Sequence, residues 1–104
     1  MRVLFLNHKI KECGVYQYGK RIFDILVKSQ NITFLYEEVG SFDDYIQFLR
    51  EQPNEKLDCI LYNFHCSTMY WLTKDNIQKH LTNIAITHES QTDVFDFIID
   101  IGNI

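Results

Sequence analysis

Apolar side chains along this chain fall into five short unbroken runs, separated by stretches in which they recur every three or four positions. The runs are Arg2 to Leu6, Ile32 to Tyr36, Cys59 to Tyr62, Ile84 to Thr87 and Phe97 to Ile101. Short, continuously apolar segments of this kind predict strands covered on both faces. Between the first and second runs, Val15 to Lys28 places Val15, Tyr18, Ile22, Phe23 and Leu26 on one helical face. Ser41 to Glu51 does the same with Phe42, Tyr45, Ile46 and Leu49. Ser41 with Asp44 three residues on reads as a capping box, and Pro53 follows the end. Ser67 to Leu81 has a less regular helical pattern, divisible into two short helices at Thr73 to Asp75, and Gln91 to Phe95 has room for one turn.

Strands alternating with helices predict a parallel sheet joined by right-handed crossovers. The expected fold is a doubly wound α/β domain, Rossmann-like and three-layered (α/β/α), with a five-stranded parallel sheet in the order 3-2-1-4-5. No repeat, low-complexity tract or composition break interrupts residues 1–104, which read as a single domain. Ligands of such sheets sit at the carboxyl ends of the strands.

Composition narrows the function classes. Of the 104 residues, 46% are apolar and 23% charged, with one Pro and four Gly, which excludes a disordered chain. A domain of this length buries roughly two-thirds of its unfolded surface, enough for one modest core. No apolar stretch nears the roughly 20 residues of a membrane span. The start of the chain lacks the apolar run and cleavage site of a signal peptide. Fourteen acidic against ten basic residues, without a basic block, argues against a nucleic-acid partner. Cys13, Cys59 and Cys66 form no CxxC, so reduced thiols and a cytoplasmic location are expected, with Cys59 as core filler.

Candidate chemistry gathers at the predicted carboxyl edge. After the first strand, Gly14 opens a helix whose free N–H groups suit a phosphate or sugar oxygen; a tight turn explains Gly14 equally well. Gly19 reads as a close packing point between helix and sheet. The loop is neither a GxGxxG fingerprint nor a Walker A loop. The third strand leaves through Asn63, Phe64 and His65, and the fourth through Thr87, His88 and Glu89. Two histidines and a carboxylate there suit hydrogen bonding of a polyhydroxylated ligand, or proton transfer near neutral pH. Helix capping or a satisfied backbone carbonyl is the competing explanation for each histidine. His65, Cys66, His88 and Glu89 lack zinc-type spacing, so no metal is expected, and a Cys66–His88 nucleophile pair is a remote option. Tyr16, Tyr18, Tyr70 and Trp71 read as core or interface aromatics, and His8 and His80 carry no signal. Asn7 and Asn63 stand where a phosphoacceptor receiver domain needs acids, and a flavodoxin's phosphate loop is missing.

Three segments together resemble the N-terminal half of a GT-B glycosyltransferase of the broad retaining group. They are Cys13-Gly14-Val15-Tyr16-Gln17-Tyr18-Gly19-Lys20-Arg21, the Asn63-to-Met69 exit and Thr87-His88-Glu89. The family's usual loop carries Gly-Gly where this chain has Cys13-Gly14. The resemblance implies a two-domain enzyme transferring a sugar from a nucleotide-sugar donor, with this part on the acceptor side and no further cofactor. It implies that Gly14 approaches the donor, that His88 contacts the transferred sugar, and that Asn63 and His65 bind substrate. His88 and Glu89 are the candidate catalytic residues. The nucleotide and leaving group would be held by a C-terminal domain that this sequence lacks. The apolar segment Phe97 to Ile104 then predicts an uncovered strand, and hence a domain of a longer protein or a chain that self-associates there. The competing function is a non-catalytic α/β interaction module pairing through that strand.

Overall fold

A computed structural model describes residues 1–51, 56–88 and 92–101. Its elements are β1 (Arg2–Asn7), α1 (Gly14–Leu26), β2 (Thr33–Glu38), α2 (Phe42–Arg50), β3 (Cys59–Phe64), β4 (Thr82–Thr87) and β5 (Phe97–Asp100). All strand pairings are parallel, so the expected α/β class and five-stranded parallel sheet are present.

The strand order is β2-β1-β3-β4-β5, which corrects the expected 3-2-1-4-5. Burial explains why. The central place beside β1 goes to β3, whose residues are all buried except the half-buried Leu61. The edge goes to β2, which carries Glu37 and Glu38 and has no fully buried residue. Charges are tolerated at a sheet edge and costly inside one.

Register divides the side chains between two faces. Phe5 lies beside Leu61 and Tyr36, so it shares their face, while Leu6 and Tyr62 share the other. Phe23 of α1 closes on the first face, with ring centroids 5.8 Å from Phe5 and 4.8 Å from Tyr36. Tyr45 of α2 closes on the second, 6.3 Å from Tyr62 and 5.5 Å from Trp71. The core on that second side includes Leu4, Leu6, Ile60, Phe64, Met69 and Leu72. Burying a side chain of this size contributes about 1.5–3 kcal/mol.

Ser41 caps α2 as expected: its Oγ accepts from the Asp44 N–H at 3.1 Å, and the Asp44 carboxylate accepts from the Gly40 N–H at 2.9 Å. No helix forms over residues 67–81, contrary to the sequence pattern. Side chains there take the bonds a helix would use. Trp71 Nε1 donates to the Thr68 carbonyl, Thr73 N–H donates to Asn76 Oδ1 at 2.7 Å, and Asn76 Nδ2 donates to the Trp71 carbonyl. Residues 92–95 form no helical turn, and Gln91 and Pro53 lie outside the described residues. β5 is exposed along its whole length, with Phe97 at 63% and Ile99 at 51% of full accessibility, as expected for an uncovered fifth strand. Among the described residues no helix is long and apolar enough to cross a membrane.

Candidate functional site

The carboxyl ends of β1, β3 and β4 converge on the start of α1. Cys13, Gly14, Val15, Tyr18, His65, His88 and Ile101 line an open cleft of about 550 Å³ there. Gly14, His65 and His88 are thus brought together as the sequence suggested. Glu89 lies outside the described residues. A larger cavity, about 630 Å³, opens near the opposite sheet edge, where Ile46, Leu49, Leu57 and Leu81 share the wall with Arg50, Lys56, Asp58, Gln78 and His80.

Beneath the cleft runs a buried amide network. Asn63 is fully buried, so it supports the site from below. Its Nδ2 donates to Asn7 Oδ1 at 3.0 Å and to the Val15 carbonyl at 2.7 Å. The carbonyl partner fixes the amide orientation, leaving Asn63 Oδ1 to accept from His88 Nε2 at 2.7 Å. His88 therefore carries its proton on Nε2 and keeps a lone pair on Nδ1 when neutral. Burial, then the neighbouring His65, lowers its pKa below the ordinary histidine value. The Tyr18 ring stands edge-on to His88 at 5.1 Å.

Asn7 ties the network to α1 and β2. Its Nδ2 donates to the Tyr16 carbonyl at 3.1 Å and to Tyr36 Oη at 3.2 Å. Tyr16 and Tyr36 both donate to Glu38, at 2.5 and 2.7 Å. Burial alone would raise the Glu38 pKa; the two hydroxyls, with Lys11 and Lys20, outweigh it and hold the carboxyl low. Gly19 has the packing role expected of it: a Cβ would fall 2.3 Å from Asn63 Nδ2 and 2.9 Å from Asn7 Nδ2. Gly14 is the opposite case, since a Cβ there would meet no atom within 4 Å. Packing does not demand glycine at that position; a side chain would project into open space at the head of α1.

His8, which gave no signal in the sequence, is 1% exposed and stands directly after β1. Its Nδ1 accepts from the Ile10 N–H at 3.1 Å, so the proton of the neutral ring sits on Nε2. That Nε2 is buried without a partner. The ring lies 5.3 Å from His65 and 5.8 Å from Tyr16. Burial first, then His65, lowers the His8 pKa to about 4. The one available clue was position: His8 is the residue that leaves the first strand at the carboxyl edge. His65 Nδ1 pairs with Thr68 Oγ1 at 3.2 Å. The Thr68 hydroxyl proton goes to the His65 carbonyl at 3.5 Å, so Nδ1 is the donor and Nε2 keeps the lone pair. His8, Cys13 and His65 each offer a ligand atom within 4.8 Å of the others.

Other candidates separate cleanly. Cys66 is exposed and off the cleft lining, and Cys59 is buried as expected. Trp71 is half-buried against Phe42 and Tyr45, whereas Tyr70 is 77% exposed. Among the described residues the cleft lining has no carboxylate, lysine or arginine. Recognition there falls to imidazoles and to the N–H groups opening α1. Cys13, the N-cap, makes no side-chain capping bond, and the first turn of α1 has no acidic residue. Such a surface can donate to phosphate or hydroxyl oxygens and accept a hydroxyl proton at His88 Nδ1. Comparison with protein families, curated proteins and solved structures finds no match to this chain.

Proposed function

We propose that the cleft binds a polyhydroxylated, phosphate-bearing ligand, and that the chain forms the acceptor-side domain of a GT-B glycosyltransferase using a nucleotide-sugar donor. The observation that carries this reading is the uncapped start of α1, with Gly14 facing open space, set opposite His88 and His65 in one cleft. In this reading Gly14 and Val15 receive phosphate or sugar oxygens, and His88 bonds the transferred sugar while Asn63 holds its tautomer. The Phe23 contacts on one sheet face and the Tyr45 contacts on the other support the three-layer Rossmann-like arrangement that such a domain needs. The chain alone should bind donor weakly and turn over none of it, because among the described residues the cleft lining has no lysine or arginine to stabilise a diphosphate leaving group. Amide and imidazole NMR spectra recorded against UDP-glucose, GDP-mannose and glucose 1-phosphate test this. Saturable shifts at Gly14, Val15, His65 and His88 are expected; their absence at millimolar ligand overturns the reading.

A second reading is favoured by one separate observation: Phe97, Ile98 and Ile99 are exposed at 63%, 43% and 51% on an edge strand. In that reading the chain is an interaction module pairing through β5. Sedimentation should then show a concentration-dependent dimer that Ile99→Lys abolishes, and a monomer at all concentrations excludes it.

A further inference from the structure

We propose that His8, Cys13 and His65 form a binding site for a divalent transition-metal ion of the zinc type, open on its fourth side to the cleft. The inference is independent of the sugar-transfer reading, since it needs only these three side chains and their surroundings.

Three features converge on one point. The first is spacing: the three ligand atoms lie within 4.8 Å of one another. Ligands at about 2.0–2.3 Å from a tetrahedral zinc stand roughly 3.5 Å apart, so inward movement of about 1 Å completes the set. The second is the buried Nε2 of His8, which has no partner in the protein and can act as a ligand once its proton moves to the other ring nitrogen. Buried polar atoms are nearly always satisfied, and an orphan of this kind calls for a partner. The third is donor chemistry. Two imidazoles and a thiol suit zinc or cobalt(II) and do not suit magnesium or calcium, which take oxygen ligands.

The framework is rigid where a site needs rigidity. His8 follows β1 and His65 follows β3, which are paired neighbours in the sheet. Cys13 is fixed at the head of α1, with its N–H donating to the Ile10 carbonyl at 3.1 Å. Thr68 accepts from His65 Nδ1 and so presents the Nε2 lone pair, the supporting role an outer-shell partner normally has. His8 forms the floor, and Cys13 and His65 line the cleft, leaving the remaining coordination position to water or a ligand.

Metal uptake has a defined proton balance. The Cys13 thiol loses its proton to solvent. The His8 proton moves from Nε2 to Nδ1, so that Nδ1–H takes over the need for an acceptor from Nε2–H, and the Ile10 N–H, which bonds Nδ1 at 3.1 Å, is released. Ile10 is 51% exposed, so water can take that N–H over. The net change is one metal bound and one proton released.

The test is cobalt(II) titration of the full chain, reduced and stripped of metal with chelator. A thiolate-to-cobalt charge-transfer band in the near ultraviolet and intense tetrahedral d–d bands should saturate at one equivalent and vanish on adding zinc. Cys13→Ser should abolish the charge-transfer band. His65→Ala should weaken cobalt binding by at least the roughly tenfold that even an outer partner costs. Cys66→Ser should change neither. Both altered ligands are partly solvent-accessible, and circular dichroism checks that each variant is folded. The proposal is overturned if no band develops at millimolar cobalt, if it survives Cys13→Ser in a folded protein, or if it is lost in Cys66→Ser instead.

Discussion

Two buried polar networks, one on each face of the sheet, end in different ways. On the α2 side, Tyr62 donates to Asn83 Oδ1 at 2.8 Å and so accepts from Tyr45 at 2.9 Å. Asn83 Nδ2 donates to the carbonyls of Gln78 and Leu81, and the Asn83 N–H donates to Asp96 at 2.7 Å. Both hydroxyls and both amide protons of this network have acceptors inside the protein. On the α1 side, Asn7 and Asn63 are equally well engaged, but the chain of bonds runs out into the cleft at His88, and His8 beside it keeps an unpaired Nε2. The closed network replaces structure that the segment before β4 does not form for itself. The open one holds hydrogen-bonding capacity in reserve. A protein gains no stability from an unpaired buried N–H, so the second network is where a ligand is to be sought.

The largest expected effect breaks the open network from beneath. Gly19→Ala would set a methyl 2.3 Å from Asn63 Nδ2, a group held by two donated bonds and unable to swing away cheaply. A loss on the order of 3–4 kcal/mol is expected, a large share of a small domain's stability. Urea denaturation measures it. A change below about 1 kcal/mol would mean that the amide pair is not the fixed platform described.

Acid should act on the same network somewhat less strongly. The folded His8 holds its pKa near 4, against an ordinary 6.5. Between these values the unfolded chain binds a proton that the folded one refuses. Stability is therefore complete above about pH 6.5 and falls as the pH drops towards 4, by on the order of 3 kcal/mol. His88, lowered as well, adds a loss of the same sign. His65 and His88 reinforce the depression of His8, and Glu38 opposes it. Glu38, Asp44 and Asp93, all held below the usual carboxylate value, act at lower pH. Urea midpoints of the chelator-treated chain between pH 7.5 and pH 5 separate the two windows; a flat profile there excludes a buried, neutral His8.

Breaking the closed network comes next. Tyr62→Phe removes one hydroxyl and leaves both Asn83 Oδ1 and the Tyr45 hydroxyl short of a partner, for a loss of about 2 kcal/mol. Because this network does not touch the cleft, ligand or cobalt titration of the variant should be unchanged. An effect there would show that the two networks are coupled.

The closed network also explains what the sequence conceals. Strands, α1 and α2 were legible because their apolar spacing matches their period, and Ser41 marks a start. The segment after His65 has only a loose helical pattern, and the side chains of Asn76 and Asn83 take up its backbone groups, among them the Thr73 N–H. Spacing is blind to that competition. Strand order was misread although its signal was present: Glu37 and Glu38 mark an edge strand, and the uncharged Cys59–Phe64 marks a central one. At the site, Gly14, His65 and His88 were legible from their place at strand and helix ends. His8 and Cys13 were not, because their meaning depends on a contact between residues more than fifty positions from His65.

The smallest structural effect is the most informative about function. His88→Ala leaves Asn63 Oδ1 without its donor, but the cleft beside it is open and water can replace the ring. A stability loss near 1 kcal/mol or less follows, well short of the Gly19→Ala loss on the same network. If the cleft is a ligand site, the same substitution should reduce the nucleotide-sugar shifts at Gly14 and Val15 out of proportion to that small loss. His88→Gln refines the comparison, since its amide can donate to Asn63 but offers no basic nitrogen towards the cleft. Stability restored by Gln without restored binding would assign the His88 lone pair to the ligand. Recovery of both would assign His88 to positioning alone, and the open network would then differ from the closed one only in its exposure to water.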